Sequence, residues 1–240
     1  PMNISVLDRF LKYVSVGSQS DADSSTVPST PGQTELARLL AGELKDMGAQ
    51  AELDEDSGIV YASISSNVEG NVPVIGWVAH VDTAPGVSGS GVNPRIIRSY
   101  DGGDIQLNPE QGIVLSPAVF PELADYLGQD LVVTDGTTLL GAADKAGVAE
   151  IMDMAASFLL NPERPHGEIR IAFTPDEEIG RGTDAFDVAR FGADFAYTVD
   201  GGALGEIEYE NFNAASAVVT VQGSSIHPGS AKGRMLNACL

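Results

Sequence analysis

Side chains that can bind a divalent metal follow three apolar stretches of the 240-residue sequence. The first group is His80-Val81-Asp82, the second is Asp176-Glu177-Glu178, and the third is Asp200. One imidazole with several carboxylates, and no cysteine nearby, is a ligand set that suits zinc. In an open α/β sheet, ligands bind at the carboxyl ends of the strands. The pattern therefore predicts that these side chains meet at one edge of a sheet, where they bind a metal.

The spacing within the groups suggests different tasks for neighbouring residues. Residues two apart in an extended chain point the same way, so Asp82 can accept a hydrogen bond from the ring of His80 and fix its tautomer. The adjacent carboxylates of Glu177 and Glu178 diverge, so one can bind metal while the other acts as a general base. Each group alone is more often a surface pair or a turn. Three such groups, each after an apolar stretch, favour a functional site.

The elements that must position these groups alternate between helix and strand patterns. Apolar residues at helical spacing predict helices over 4–14, 34–47 and 144–160. Apolar or alternating runs predict strands at 51–53, 59–64, 72–79, 131–134, 168–174 and 195–199. This order predicts an α/β fold with a mixed, largely parallel sheet flanked by helices.

A change in composition near residues 207–215 predicts a domain boundary. We expect one domain, which carries the chemistry, over 1–208 and the beginning of a smaller α+β domain over 209–240. The residues over 207–221 have a β-rich pattern, but this last segment is too short to bury a core of its own. Because the final residues look like the opening of a helix, we expect the sequence to be part of a longer chain.

The charge balance excludes several classes of partner. Thirteen Lys and Arg against 34 Asp and Glu give a formal net charge of −21, so the chain should be repelled by nucleic acid and by anionic membranes. No run of about 18 apolar residues predicts a membrane span, and no signal peptide is recognisable. The single cysteine, Cys239, fits a reducing compartment. We therefore expect a cytoplasmic protein.

The groups belong to a longer series of motifs that together resemble the peptidase T (tripeptide aminopeptidase) branch of the co-catalytic zinc peptidase family. That family also contains carboxypeptidase G and acyl-amino-acid deacylase types. The matching segments, in order, are His80-Val81-Asp82-Thr83-Ala84-Pro85, residues 137–142, residues 172–180, residues 197–202, residues 210–216 and His227-Pro228-Gly229. The likeness covers essentially the whole chain, and residues 211–214 with the Thr-Pro-Asp-Glu-Glu run point to this branch.

The resemblance implies a role for each site residue. His80 and Asp200 would bind one zinc ion, and Glu178 would bind a second. Glu177 would be the general base, and Asp82 would orient His80. The family has two zinc ions per subunit, acts on small peptides and forms homodimers through a lid domain, and the segment over 209–240 would begin that lid.

His227 would lie in this lid domain, where the family uses a histidine near the substrate. By default, a lone histidine before Pro228-Gly229 would be a surface residue in a turn.

Two departures from the family pattern put full activity in doubt. The bridging aspartate of the family falls at the position of Ala143, and its neighbour Asp144 should point elsewhere. Family members also continue well past residue 240, where a further zinc-binding histidine lies. We therefore expect at most one zinc ion to bind well here, and a chain that is impaired or inactive.

Three alternatives to a tripeptide aminopeptidase stay open at this point. A related dipeptidase or an N-acyl amino acid deacylase would use the same chemistry. A non-catalytic relative with a decayed metal site would belong to another class. Ala143 favours the last alternative, whereas Glu177, Glu178 and Asp200 argue against it.

Overall fold

The computed structural model describes residues 4–211, 213–215 and 217–239, and the side chain of Asp144 also lies outside the described part. The helices are α1 (Val6–Val14), α2 (Pro31–Met47), α3 (Ala142–Leu160) and α4 (Val188–Phe191). The strands are β1 (Gln50–Leu53), β2 (Val60–Ile64), β3 (Ile75–His80), β4 (Arg95–Ile97), β5 (Ile105–Asn108), β6 (Ile113–Leu115), β7 (Leu131–Val133), β8 (Ile169–Thr174) and β9 (Phe195–Thr198). Short 3-10 turns occupy Pro121–Tyr126, Glu177–Ile179 and Pro228–Ser230.

Five strands form one mixed sheet in the order β1-β2-β8-β3-β9. The pairs β1–β2 and β2–β8 are antiparallel, whereas β8–β3 and β3–β9 are parallel. His80 at the end of β3 lies opposite Thr174 at the end of β8, and Val78 lies opposite Thr198 at the end of β9. The three strands that precede the candidate ligands therefore end at the same edge of the sheet, as predicted.

Helices cover the sheet because its strands are apolar on both faces. On one face, α1, α2 and α3 pack over residues that include Val60, Ala79, Ile171 and Phe173 in the main core. On the other face, Phe191 of α4 packs with Ile59, Tyr61 and Ala172. Since successive strand residues point to opposite faces, Ile171 and Phe173 enter one core while Ala172 enters the other.

The predicted boundaries of several elements were wrong by a few residues. The third strand begins at Ile75 rather than at residue 72, because Pro73 has no N–H to donate to a sheet. The second helix begins at Pro31, three residues before the prediction, because proline is well suited to the first turn. It ends as predicted at Met47, and Gly48, which follows, has the left-handed conformation with φ 106°.

The segment between β3 and α3 forms a small structure of its own. The strands β4 and β7 pair with each other, as do β5 and β6. A separate apolar cluster lies beneath them and contains Tyr100, Ile105 and Leu123. Of these four strands, β7 corresponds to the strand predicted over 131–134.

The chain divides into two compact units, residues 1–202 and residues 203–240. The β-rich pattern predicted for 207–221 was wrong, since the described residues of that stretch contain no strand. An isolated bridge between Ser224 and Leu236 is the β-pairing found in the described part of the second unit. A strand needs a hydrogen-bonded neighbour as well as an alternating sequence, and 38 residues offer few.

Among the described residues, no helix has the length and apolar character that crossing a membrane requires.

Candidate metal centre

The candidate centre is built around His80, the last residue of β3. Its side chain is only 4% exposed. The Nε2 atom lies 3.6 Å from Oδ2 of Asp200, which follows β9, and 3.9 Å from Oε2 of Glu177, which follows β8. Backbone hydrogen bonds continue the sheet past the strand ends, from Val81 N to Thr174 O and from Val199 N to Val78 O. The parallel sheet thus brings residues from three distant parts of the sequence to one point.

Asp82 is a buried residue that positions the side chains of this centre through hydrogen bonds. Its side chain is fully buried, and Oδ1 lies 3.3 Å from Nδ1 of His80, as the two-residue spacing predicted. A proton on Nδ1 leaves the lone pair of Nε2 directed toward Glu177 and Asp200. Asp82 also accepts the backbone N–H of Glu177 at 3.0 Å and that of Glu178 at 3.1 Å. One carboxylate therefore orients the histidine and fixes the turn that carries both glutamates.

The two glutamates begin the 3-10 turn Glu177–Ile179. One ligand atom from each of His80, Glu177 and Glu178 lies within 4.8 Å of the others, which is close enough to share one metal ion. Partial desolvation raises the pKa of the Glu178 carboxyl, although the residue as a whole is exposed. The charges of Glu177, Asp82 and Asp200 raise this pKa further, while His80 lowers it.

The excess of negative charge around His80 suits a divalent cation. Three further carboxylates lie near Glu178, so its ionised form is disfavoured until a positive charge balances theirs. The donor set of one imidazole nitrogen and several carboxylate oxygens is one that zinc accepts. The described residues therefore fit a zinc ion.

Ala143 lies in the first turn of α3, and its position relative to the centre follows from the helix. Gly147, four residues later, is on the same helix face. A Cβ atom built on Gly147 would lie 2.0 Å from the carbonyl oxygen of Val199, the residue before Asp200. The face of α3 that contains Ala143 is thus the one that contacts the strand end carrying Asp200. The orientation predicted for the Asp144 side chain lies outside the described part.

The contact at Gly147 leads to a first prediction. We expect Gly147→Ala to lower the free energy of unfolding by about 1–3 kcal/mol, because the new methyl group overlaps the Val199 backbone. Gly42→Ala in α2 is the matched control, since its Cβ meets nothing within 4 Å, and helix propensity should make it neutral or stabilising by up to about 1 kcal/mol. Urea unfolding of both variants measures the difference. Equal free energies of unfolding for Gly147→Ala and Gly42→Ala would contradict the close approach of α3 to Val199.

His227, predicted to contact substrate, belongs to the second unit. It precedes the 3-10 turn Pro228–Ser230, and its Nδ1 accepts the backbone N–H of Gly229 at 3.2 Å. The local conformation is the turn that the His-Pro-Gly sequence indicates. Its role toward a substrate stays a prediction.

Sequence reasoning missed two features that position the centre. It assigned Asp82 to His80 alone, and the hydrogen bonds from the Glu177 and Glu178 amides have no signal in the sequence. It also gave no task to Asp176, which is 1% exposed and has a left-handed backbone with φ 58°. A non-glycine residue with positive φ is uncommon and often marks a functional turn.

The chain is similar along almost its whole length to proteins named peptidase T. It is 59% identical to peptidase T of Geobacillus kaustophilus (strain HTA426) and 55% identical to that of Bacillus subtilis (strain 168), in each case over 237 residues. Each alignment covers 99% of this chain and 58% of the relative, so the chain spans little more than half the length of these curated relatives. No protein-family model matches the chain.

Solved structures share the fold of the chain. Aminopeptidase PepT from Bacillus cereus ATCC 10987 superposes with a TM-score of 0.61 at 24% identity, over 99% of this chain and 54% of that protein. A tripeptidase from Staphylococcus aureus superposes with a TM-score of 0.58 at 23% identity, over 84% of this chain and 44% of that protein. These likenesses confirm the mixed sheet flanked by helices. By sequence, the chain is therefore similar to the peptidase T proteins, and it spans 58% of the length of the relative from Geobacillus kaustophilus.

Proposed function

We propose that the chain is part of a zinc-dependent aminopeptidase that releases the N-terminal residue of tripeptides. The observation that carries the proposal is the meeting of His80, Glu177, Glu178 and Asp200 at one sheet edge. The sequence similarity to peptidase T, at 54–59% identity, supports the same activity. The surplus of carboxylates also suits a substrate whose free N-terminus is a cation.

Each residue of the centre has a task in this proposal. His80 and Asp200 would hold one zinc ion, and Glu178 would be a ligand of the second where a bridging carboxylate is present. A zinc ion in such a site acts as a Lewis acid on the scissile carbonyl and makes water a nucleophile at neutral pH. Glu177 accepts the proton of the attacking water and passes it to the leaving amine. Asp82 keeps His80 in the tautomer whose Nε2 is a ligand.

Ala143 limits what this chain does. A bridging carboxylate binds both metals and offsets the repulsion between two divalent cations about 3.5–4 Å apart. Alanine does neither, so we propose that the chain binds at most one zinc ion well and turns over tripeptides poorly. We further propose that the chain forms a homodimer through the second unit and that His227 contacts the substrate. We also propose a cytoplasmic location.

Two other functions compete with this one. A dipeptidase or an N-acyl amino acid deacylase would use the same centre on a different substrate. A non-catalytic relative would keep the fold without the chemistry, and Ala143 is the observation that favours it.

A turnover experiment separates these functions. The chain is joined to the portion of Bacillus subtilis peptidase T that it does not match, with and without Ala143→Asp, and is given zinc. The substrates are trialanine, dialanine and N-acetyl-trialanine. We expect the Ala143→Asp protein to release alanine fastest from trialanine, and the protein with Ala143 to be slower by at least about a hundredfold, which corresponds to about 2.7 kcal/mol.

Controls and contrary outcomes are clear for this experiment. A chelator should abolish the release, and adding Glu177→Gln should lower it by about 10²–10⁴-fold, the range typical of a general base. Preference for the N-acetylated peptide would indicate a deacylase, and preference for dialanine a dipeptidase. No hydrolysis by the Ala143→Asp protein would favour the non-catalytic relative.

A further inference from the structure

The turn that carries Glu177 and Glu178 has an unusual beginning. Asp176 links β8 to this turn with φ 58° and ψ 28°, a left-handed conformation that residues with a side chain seldom adopt. Its side chain does not extend toward the solvent, since the residue is 1% exposed. A backbone of this kind persists only where its surroundings hold it in place.

The start of α2 provides that hold. The carboxylate of Asp176 accepts hydrogen bonds from the backbone N–H of Ser29 at 2.8 Å, from the Ser29 hydroxyl at 2.5 Å and from Nε2 of Gln33 at 2.7 Å. The backbone N–H of Asp176 in turn donates to Oε1 of Gln33 at 2.9 Å. The fully buried amide of Gln33 therefore forms hydrogen bonds with both the main chain and the side chain of Asp176. We call the three residues Ser29, Gln33 and Asp176 the α2 tether.

The α2 tether is anchored to the same strand end that carries His80. The Ser18 hydroxyl donates to Val81 O at 2.6 Å, and the backbone N–H of Ser20 donates to Thr83 O at 3.0 Å. A Cβ on Gly32, the residue before Gln33, would lie 1.7 Å from the carbonyl oxygen of Gly17. The start of α2 thus packs closely against the segment that is bonded to the residues just after β3.

Asp176 is unsuited to be a metal ligand. Its two oxygens already accept three hydrogen bonds, and they face α2 rather than the cluster of His80, Glu177 and Glu178. On the other side of the turn, Asp82 accepts the amides of Glu177 and Glu178. The turn is therefore fixed from two sides, by the α2 tether at Asp176 just before it and by Asp82 at Glu177 and Glu178.

We propose that Gln33 and Asp176 are positioning residues that set the direction of the Glu177 and Glu178 carboxylates. The inference rests on the proposed function in that these carboxylates serve a metal-dependent reaction. Without the grip of Gln33, Asp176 can relax toward a more common backbone conformation, and the two glutamates then turn away from His80. The tether acts on the reaction only through them.

The test compares Gln33→Met, Asp176→Asn and the double variant with the parent chain. Methionine keeps the approximate size of Gln33 and removes its hydrogen bonds, while asparagine tolerates the left-handed backbone. The control is Gln129→Met, because Gln129 is exposed and its side-chain amide donates to Asp125 O within its own turn. Hydrogen exchange of residues 176–181 in metal-free protein is the first readout, with residues 148–156 of α3 as the internal reference.

We expect Gln33→Met and Asp176→Asn each to raise exchange at 176–181 by at least about tenfold while α3 keeps its protection. The factor by which the double variant raises exchange should be much smaller than the product of the two single-variant factors. The reason is that both substitutions break the same interaction. The second readout is the affinity for Co²⁺, followed by its visible spectrum, which should fall by about tenfold to a hundredfold. Gln129→Met should match the parent in both readouts.

The two readouts separate this inference from the proposed function. Unchanged exchange at 176–181 in both single variants would overturn the positioning role, whatever the cobalt result. Faster exchange together with an unaltered cobalt affinity and spectrum would also overturn it, since the tether would then stabilise the turn without directing the glutamates. A parent chain that binds no cobalt, but whose variants exchange faster, would overturn the metal site and would support the hold of the tether on the turn.

Discussion

Asp82→Ala should weaken zinc binding by about tenfold to a hundredfold, the range typical of residues that orient a metal-binding histidine. The reason is that the Asp82 carboxylate has two tasks at once. It orients the ring of His80, and it accepts the amides of Glu177 and Glu178. Alanine releases the histidine and leaves both amides without their acceptor. Since a buried donor left unsatisfied costs about 1–3 kcal/mol, we also expect the free energy of unfolding to fall by about 2 kcal/mol or more.

Isothermal titration with zinc and urea unfolding measure these two effects. Asp82→Asn should weaken zinc binding and lower the free energy of unfolding almost as much, because its amide nitrogen is a donor where an acceptor is needed. Asp101→Asn is the control, since Asp101 is exposed and caps a turn by accepting the amide of Gly103. Zinc affinity that survives Asp82→Ala within a factor of two would show that neither His80 nor the glutamate turn depends on Asp82.

Ala143→Asp should raise the zinc stoichiometry of the chain from at most one ion toward two. The new carboxylate would lie on the helix face that contacts the strand end with Asp200, where it can bridge two cations and offset their repulsion. It would also lie near the N-terminus of α3, which favours a negative charge by about 0.3–1 kcal/mol. We therefore expect little loss of stability in the metal-free protein.

Calorimetric titration together with metal analysis of the dialysed protein tests this expectation. Ala142→Asp is the matched control, because it adds the same charge one residue earlier, on a different side of the helix. The control should leave the stoichiometry of the parent chain unchanged. If the parent chain itself bound two zinc ions, the ligands would be misassigned, and Asp144 would be the first residue to re-examine.

Much of the centre was predictable because parallel strands impose a simple geometric rule. Apolar runs before His80, Glu177 and Asp200 identified three strands, and the carboxyl ends of parallel neighbours must meet at one edge. The two-residue spacing of His80 and Asp82 similarly predicted their contact, since it depends only on the alternation of an extended chain. The fold class follows from the same patterns, and the resemblance to the zinc peptidase family added the assignment of roles.

Sequence patterns predicted strands less well where the neighbouring strand could not be identified. The alternation over 207–221 reads as strand, yet the described residues there form none, because a strand is completed by hydrogen bonds to a neighbour that the sequence does not name. The start of β3 was misplaced for a local reason, the missing N–H of Pro73, that was visible in the sequence.

The sequence by itself determined which residue types follow which strands, and therefore that a metal centre of histidine and carboxylates was to be expected. Only the tertiary structure decided how that centre is held. The amides that Asp82 accepts, the grip of Gln33 on Asp176 and the approach of Gly147 to Val199 each join residues from 52 to 143 positions apart. The physical reason is that a helix or strand pattern reflects the nearest neighbours along the chain, whereas a buried hydrogen bond depends on where the packed core places its two ends.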